Sequence, residues 1–418
     1  MGGLLSQVPR VPMPAVDYGA IAPLLVVLGM ACISVLVEAF VPRSARWSAQ
    51  VGLSLLALGA AGAALGVHIY SFSRGDTGDV VTLAGTVAVD GPALFLWGTL
   101  LALGLGAVLL IADRTVEPGG AFTADAAVRP GTAQDRAQVA AGTAGTSGTS
   151  TATVTQTTMQ TEVFPLFLFS LGGMMVFTAA NDLLTMFIAL EVLSLPLYLM
   201  CGMARRRRLL SQEAAVKYFL LGAFTSAFFL YGVALLYGYA GSVTLSAIAE
   251  ASVGIDRSDT LLFGGLALLV IGLMFKASVG PFHTWTPDVY QGAPTPVTAF
   301  MAACTKVAAF GAILRVLTVG FEGTRWEWRG LLWGVAIASM VIGAVLGLTQ
   351  TDIKRMIAYS SVAHAGFLLV GAITLTEAGL SGTMFYLLAY GFTTLAVFGV
   401  ITLVRDADGE ATHLSQWA

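Results

Sequence analysis

The run LLVIGLMFKASVGPFHTWTPDVYQGAPTPVTAFMAACTKVAAFGAIL, residues 268–314, decides the fold of this chain. The apolar pattern over residues 260–292 is longer than the ~20 residues that a membrane-spanning helix needs. Gly280 and Pro281 interrupt it, and a proline inside a helix removes a hydrogen-bond donor and crowds the carbonyl one turn earlier. Backbone carbonyls are thereby released close to Lys276, whose ammonium also faces the negative end of the first half-helix. The run therefore predicts a membrane helix broken at its middle, with a cation held at the break.

The composition of the whole chain is that of a membrane protein. Of 418 residues, 56% are hydrophobic and only 11% are charged, against about 25% charged in ordinary globular domains. The 48 glycines suit close packing of helices in a bilayer. Cys32, Cys201 and Cys304 fall inside apolar runs without the spacing of a metal site or a disulfide framework. The sequence has no dinucleotide fingerprint, CxxC set or haem-type histidine pair, so we expect no cofactor, metal or nucleic acid on this chain.

Apolar runs bounded by charged residues predict eleven helices and their orientation. The helices are predicted near residues 18–40, 48–71, 91–112, 163–180, 183–203, 212–239, 260–291 (broken), 295–319, 329–350, 354–375 and 380–404. Loops on one side carry twelve lysines and arginines, including the run at 205–208, whereas the other side carries four. Since basic loops stay in the cytoplasm or its organellar equivalent, the N-terminus is expected outside. We expect a multi-pass protein of an energy-coupling membrane, either the bacterial inner membrane or the equivalent organellar membrane.

Residues 117–162 differ in composition from the rest of the chain, because Ala, Gly, Ser and Thr dominate there. Such a segment cannot bury enough apolar area to offset its ordering entropy, so we expect a disordered cytoplasmic insertion. The predicted organisation is a three-helix N-terminal segment at 1–116, this insertion, a five-helix unit at 163–320 and an incomplete second unit at 328–418.

An internal repeat relates the two units. LGGMMVFTAAND, ending at Asp182, aligns with VIGAVLGLTQTD, ending at Asp352, at an offset of 170 residues. KYFLLGAFTS, ending at Ser226, aligns with FYLLAYGFTT, ending at Thr394, at an offset of 168. Because the offset spans five helices, an odd number, the two units insert with opposite orientation, as in many transporters. The equivalent broken helix would fall beyond residue 418, so we expect an incomplete chain.

Ionisable residues inside the predicted helices are the candidate functional groups. A charge at the bilayer centre costs about 2.5–3.5 kcal/mol, so each buried lysine needs a partner. Lys306 lies roughly 15 Å into its helix, and the alternatives for it are a relay and a structural salt bridge. Lys217 lies near a helix end, where extension toward the headgroups is an alternative to function. Glu191 is the clearest buried acid.

Two histidines and one aspartate complete the set of candidates. His364 lies deep in its helix with serines on nearby turns, and the alternatives are a packing residue and a proton carrier. His283 and Asp288 follow the break and either line a route for proton uptake or form hydrogen bonds within the break.

The run FKASVGPFHTWTPDVY closely resembles the proton-translocating, antiporter-like membrane subunits of respiratory complex I. The resemblance extends from about Val163 to the end of the chain. Lys217 and the run QGAPTPVTAF favour the branch that corresponds to the second mitochondrial membrane subunit. The resemblance implies an all-α polytopic, antiporter-like fold with inverted five-helix repeats. Eleven of its usual fourteen helices would lie in this chain, and the seventh would be broken.

The same resemblance implies the roles of the residues. Glu191 would pair with the broken-helix Lys276, Lys306 would be the central relay, and Lys217 and His364 would share in proton translocation along a hydrated midplane path. The chain would be a non-redox subunit of a proton-translocating NADH:quinone oxidoreductase. NADH, flavin, iron–sulfur clusters and quinone would bind to partner subunits.

The expected partners are antiporter-like neighbours, small helical membrane subunits and the lipid bilayer. Alternatives are a subunit of a multisubunit cation/proton antiporter or of a membrane-bound hydrogenase, which share the same helices and lysines. An inert scaffold is a further alternative, against which the presence of Glu191, Lys276 and Lys306 argues.

Overall fold

The computed structural model describes residues 16–117, 120–123, 129, 131–134, 136, 160–253, 259–406 and 409–417. Helices make up most of this part of the chain, with two small antiparallel hairpins: β1 Val80–Thr82 with β2 Val87–Val89, and β3 Arg405–Asp406 with β4 Gly409–Glu410. The helices are α1 Ala22–Phe40, α2 Arg43–Ser73, α3 Gly91–Ala112, α4 Val163–Ala179, α5 Leu183–Cys201, α6 Arg208–Ala240, α7 Leu245–Ser252, α8 Asp259–Lys276, α9 Trp285–Gly292, α10 Thr295–Gly320, α11 Arg325–Leu348, α12 Ile353–Thr374 and α13 Glu377–Leu403.

The predicted membrane helices are all present. Within the described residues, ten helices are long and apolar enough to cross a bilayer, and α4 is an apolar helix of 17 residues. The all-helical membrane fold is therefore confirmed. The short α7 was not predicted, because its eight residues form too brief a pattern to stand out between two membrane helices. Its buried face carries Leu245 and Ile248.

The predicted break is confirmed, since α8 ends at Lys276 and α9 begins at Trp285. Between them Ser278 adopts a left-handed conformation with φ 58°. The Gly280 amide, which has no helical acceptor, donates to the Ser339 hydroxyl of α11 at 3.0 Å. Backbone groups inside a bilayer must find partners within the protein, and here another helix supplies one.

Helix α10 lies at the centre of the bundle. Every residue from Thr295 to Leu317 is buried, whereas α6 and α11 expose many of their side chains. It packs against α3, α4, α8, α12 and α13. Two π-helical stretches interrupt it, Met301–Thr305 and Val316–Gly320. A side chain on this helix is therefore surrounded by protein rather than by lipid.

The aspartates that end the aligned repeat sequences make the same contacts. Asp182 caps α5 by accepting from the amides two and three residues later, at 2.9 and 2.8 Å. Asp352 caps α12 in the same way, at 2.9 and 3.1 Å. Each forms an isolated antiparallel bridge, Asp182 to Thr244 and Asp352 to His413. These contacts agree with the predicted repeat, which stays a prediction together with its domain boundaries.

Most of the predicted insertion at 117–162 lies outside the described residues. Its described ends are bound to the helices, since Phe122 is fully buried and the Thr161 hydroxyl donates to the Glu38 carboxylate at 2.7 Å. The expectation of a disordered insertion stays a prediction, and these contacts concern only its described ends.

Helices α11 and α12 approach closely at glycines. A Cβ added to Gly343 would lie 2.4 Å from the Ala363 amide nitrogen and 2.7 Å from the Tyr359 carbonyl, and both are backbone atoms. A Cβ on Gly334 of the same helix would meet nothing within 4 Å. The helix pair thus depends on the absence of a side chain at Gly343.

Gly343→Ala should destabilise the protein, because the two helices must separate to admit the methyl group, at a cost of about 1–3 kcal/mol. We expect a lower midpoint of thermal denaturation for the detergent-solubilised protein. Gly334→Ala is the matched control and should keep or raise the midpoint, since alanine favours helix. Equal midpoints for the two variants would contradict the close contact.

Candidate functional site

Lys276 lies in a buried polar pocket formed by three helices. It is the last residue of α8 and is 4% exposed. Its ammonium donates to the Ser194 hydroxyl of α5 at 2.8 Å and to the Tyr218 hydroxyl of α6 at 3.0 Å. The rings of Tyr198 and Tyr218 lie 5.8 and 5.2 Å from the nitrogen, within cation–π range. Neutral groups therefore hold this cation.

The carbonyls released at the break do not hold the ammonium, which corrects the prediction. The Phe275 carbonyl accepts from the Trp285 indole at 3.0 Å and from the Ser278 amide at 3.1 Å. The indole also stacks on Tyr218, with ring centroids 4.5 Å apart and planes 8° apart. Trp285 thus satisfies a backbone carbonyl at the break and fixes the tyrosine that binds Lys276.

Glu191 lies on α5, one turn before Ser194. Its carboxylate interacts electrostatically with Lys276, and its Oε1 atom is buried without a hydrogen-bond partner. Among the described residues no ion pair within 4.0 Å joins the two. The structure therefore brings Glu191 and Lys276 to one site without direct contact, and their functional pairing stays a prediction.

Lys306 lies at the centre of the bundle on α10 and is 2% exposed. Its ammonium donates to the Ser361 carbonyl of α12 at 2.6 Å and lies 5.4 Å from the ring of Tyr390. The π-helical stretch Met301–Thr305 ends immediately before it, and such stretches recur at functional sites. In the described part of the chain no carboxylate forms an ion pair with Lys306, so the salt-bridge alternative has no support.

His364 belongs to the same cluster as Lys306. Its Nδ1 lies 2.5 Å from the Tyr386 hydroxyl, and its ring lies 5.0 Å from that of Tyr390. It also interacts electrostatically with Lys306. The structure thus brings these two predicted residues together and adds two tyrosines that the sequence did not single out.

Tyr290 lies between the two lysine clusters. It is 1% exposed, and its phenol interacts electrostatically with Tyr218 beside Lys276 and with Tyr390 beside Lys306. Tyrosines on apolar helices are common packing residues, so the sequence held no signal that separates these three from the others.

Several buried polar atoms in this region lack a protein partner. They are Glu191 Oε1, His283 Nδ1 and Thr286 Oγ1. Buried polar groups are almost always hydrogen-bonded, and ordered water is the usual partner where protein supplies none. The space around the break is therefore suited to internal water.

Lys217 lies at the arginine-rich end of the bundle, which we define by residues 205–208. Its side chain is 42% exposed, and its ammonium lies 2.7 Å from both Glu213 and Asp288. Asp288 also pairs with Arg355 at 2.6 Å. Lys217 and Asp288 thus form a surface cluster apart from the buried lysines, in which the Lys217 ammonium binds two acids of the protein, and the roles of both residues stay predictions.

The other predicted residues lie at the break. The Gly280 amide is bound by Ser339, and the His283 ring lies 5.9 Å from that of Tyr359. Within the described part of the chain, no three His, Cys, Asp or Glu side chains cluster to hold a metal ion.

Known proteins are similar to this chain in sequence. Residues 180–417 match the family described as NADH:quinone oxidoreductase/Mrp antiporter, TM. NADH-quinone oxidoreductase subunit N of Saccharopolyspora erythraea is 73% identical over 409 residues, which cover 98% of this chain and 76% of that protein. The protein of the same name from Acidothermus cellulolyticus is 58% identical over 407 residues, which cover 97% and 74%. The predicted branch of the family is thereby confirmed.

Two solved structures share the fold. A chain of respiratory complex I from Thermus thermophilus with bound Aureothin is 33% identical, with a TM-score of 0.67, over 91% of this chain and 70% of that chain. A chain of the Mrp complex from Dietzia sp. is 21% identical, with a TM-score of 0.70, over 91% and 64%, and shows likeness of fold alone. The chain therefore belongs to the family of antiporter-like membrane subunits of NADH:quinone oxidoreductase.

Proposed function

We propose that this proton-translocating membrane-arm subunit of NADH:quinone oxidoreductase moves protons through Lys276 and Lys306. The observation that carries the proposal is that both ammonium groups are buried and, among the described residues, hydrogen-bonded only to neutral partners, two hydroxyls for Lys276 and one carbonyl for Lys306. A lysine held in this way gains and loses its proton more readily than one locked to a carboxylate, since no ion pair must be broken.

The two lysines are connected by groups that bind protons or water. Tyr218, Tyr290 and Tyr390 follow one another between the lysine clusters, and the unpartnered polar atoms near the break supply sites for bridging water. His364 extends the line beyond Lys306. The field of Glu191 acts on Lys276 and so sets how readily that lysine releases its proton.

The orientation in the membrane is inferred from the distribution of basic residues, and the surrounding complex is inferred from the relatives of this chain. The arginine-rich end faces the cytoplasm and the N-terminus faces outside, because basic segments are retained on the cytoplasmic side. Other membrane subunits of the complex flank this chain in a bacterial inner membrane. NADH, flavin, iron–sulfur clusters and quinone bind to partner subunits, so this chain takes no part in the redox steps. The antiporter and hydrogenase alternatives have the same fold, but no observation favours them over the relatives at 73% and 58% identity.

Lys306→Ala should abolish the proton pumping that depends on this subunit. Lys306→Arg should also fail although it keeps the charge, because a guanidinium does not release its proton at accessible pH. Lys354 is the matched control: it is 3% exposed, as deeply buried as Lys306, but it pairs with Glu410 at 3.0 Å. Lys354→Arg should therefore keep pumping, because an ion pair needs only the charge.

The measurement is the number of protons pumped per NADH oxidised in inside-out membrane vesicles. Assembly of the complex is checked on native gels for each variant. Wild-type stoichiometry in an assembled Lys306→Ala complex would show that Lys306 is structural and would refute the proposed relay.

Glu191→Gln should slow proton pumping by about tenfold, which corresponds to ~1.4 kcal/mol in the barrier. The amide keeps the shape of the side chain but removes the charge that acts on Lys276. Glu191→Asp keeps the charge and should retain part of the activity. The two variants are compared by the initial rate of NADH-driven proton uptake by the vesicles. Equal rates for Glu191→Gln and Glu191→Asp would show that the charge of Glu191 has no role.

A further inference from the structure

The second half of the broken helix, α9, is held between two other helices by one carboxylate. Asp288 Oδ2 lies 2.7 Å from the Lys217 ammonium of α6, and Asp288 Oδ1 lies 2.6 Å from the Arg355 guanidinium of α12. Each oxygen therefore binds one cation. The three side chains are 28–42% exposed, so the cluster lies at the edge of the protein, where water reaches it.

Further contacts fix the end of α9 against both neighbours. The Gln291 carboxamide accepts from Arg355 at 3.2 Å and donates to Asp352 at 3.1 Å. A Cβ on Gly292 would lie 2.6 Å from the Leu210 carbonyl, so the backbone of α9 presses directly on α6 at this point. Helix α9 thus acts as a strut: it belongs to the first predicted repeat unit and connects α6 of that unit to α12 of the second.

The strut leads from the surface cluster to the buried lysine. At its other end Trp285 stacks on Tyr218, which binds the ammonium of Lys276. Lys217 is the neighbour of Tyr218 in the chain. A shift of α9 or of Lys217 therefore changes the surroundings of Lys276 directly.

A cavity of about 230 Å³ opens at the cluster, between α6 and α9. Its lining includes Leu210, Ala214, Glu213 and the charged groups around Asp288. A water molecule in the liquid takes up about 30 Å³, so the cavity has room for several. Water thus reaches the outer face of the strut.

The two cations bound to Asp288 differ in what they can do. Lys217 has a second acid, Glu213 at 2.7 Å, and can leave Asp288 without losing every partner. Arg355 is anchored by Gln291 and keeps its charge at any accessible pH. The contacts therefore allow two arrangements: the observed one, with Asp288 bound to both cations, and a second, with Asp288 bound to Arg355 alone.

We propose that Arg355 is a positioning residue for proton uptake, acting through Asp288. It holds α9 on α12 while Lys217 exchanges between Asp288 and Glu213, and this exchange opens and closes the way from the cavity to Tyr218 and Lys276. The proposal rests on the proposed function, since it assigns the gate that supplies protons to Lys276.

The test uses the intact complex in membrane vesicles, with Arg355→Gln, Asp288→Asn and the double variant. Each single variant should lower the number of protons pumped per NADH at least twofold. The double variant should be little worse than Asp288→Asn alone, because Arg355 binds α9 mainly through Asp288 at 2.6 Å and only by a longer hydrogen bond, 3.2 Å, through Gln291. Arg355→Lys keeps a cation and should restore more than half of the lost pumping.

A second measurement reports the gate itself. Ala214 lines the cavity and is 1% exposed, so Ala214→Cys places a thiol at the strut. A membrane-impermeant thiol reagent should label it several-fold faster in the Arg355→Gln and Asp288→Asn backgrounds, after subtraction of labelling at the native cysteines. Arg325→Gln removes an exposed arginine at the start of α11 and is the matched control, with no expected change in pumping or labelling.

Three outcomes would overturn the proposal. They are unchanged pumping in Arg355→Gln, unchanged labelling in the single variants, and an effect of Arg355→Gln on pumping that is as large in the Asp288→Asn background as in the wild type. If Arg355→Gln does not assemble, Arg355→Lys and Asp288→Asn carry the same comparison. Lys306→Ala is measured in parallel to distinguish the proposed function from the proposed gate. Wild-type pumping in Lys306→Ala refutes the proposed function. Loss of pumping in Lys306→Ala together with unchanged pumping in Arg355→Gln refutes the gate alone.

Discussion

The structure depends on holding two ammonium groups inside an apolar bundle, with no carboxylate among the described residues in an ion pair with either. A regular helix uses nearly all of its backbone groups in its own hydrogen bonds and leaves few to bind a cation. Both lysines accordingly lie beside departures from regular helical geometry. Lys276 ends α8 at the break, and Lys306 directly follows the π-helical stretch Met301–Thr305. Hydroxyls from two other helices bind the first, and a backbone carbonyl binds the second. Each site therefore needs several helices at once, which explains why α10 is enclosed on all sides.

The break is maintained across the boundary between the two predicted repeat units. Ser339 of α11 accepts from the Gly280 amide and donates to the Val362 carbonyl at 2.8 Å, so one hydroxyl joins the break to two helices of the second unit. At the arginine-rich end, Arg355 binds α9 to the same unit. The geometry around Lys276 thus depends on the position of the second unit, and movement of one unit against the other reaches the buried lysine without any change inside α5 or α6.

Features that belong to a single helix were predictable from the sequence, whereas features that arise from the packing of several helices were not. The break was predictable because Pro281 acts on its own helix, and the membrane helices because apolar runs have a fixed length. The partners of the lysines were not, since whether Tyr218 or Ser194 faces Lys276 depends on how three helices are placed. The same limit explains why the sequence predicts carbonyls as the partners of the Lys276 ammonium, whereas hydroxyls of α5 and α6 bind it. The depth of Lys217 is equally hard to predict, because it depends on a helix start that composition places only within a few residues.

Burial alone does not separate a proton carrier from a structural cation, and under the proposed function this chain contains both kinds. Lys354 and Arg315 are 3% and 6% exposed, and each pairs with a carboxylate, Glu410 at 3.0 Å and Asp90 at 2.9 Å. Removing a proton or a partner from such a pair would leave an uncompensated charge, so these pairs keep their charge and hold the ends of helices together. Lys276 and Lys306 are as deeply buried but have neutral partners, whose hydrogen bonds persist in altered form when the proton leaves. The type of partner, rather than depth, is therefore the physical difference on which a translocating lysine depends.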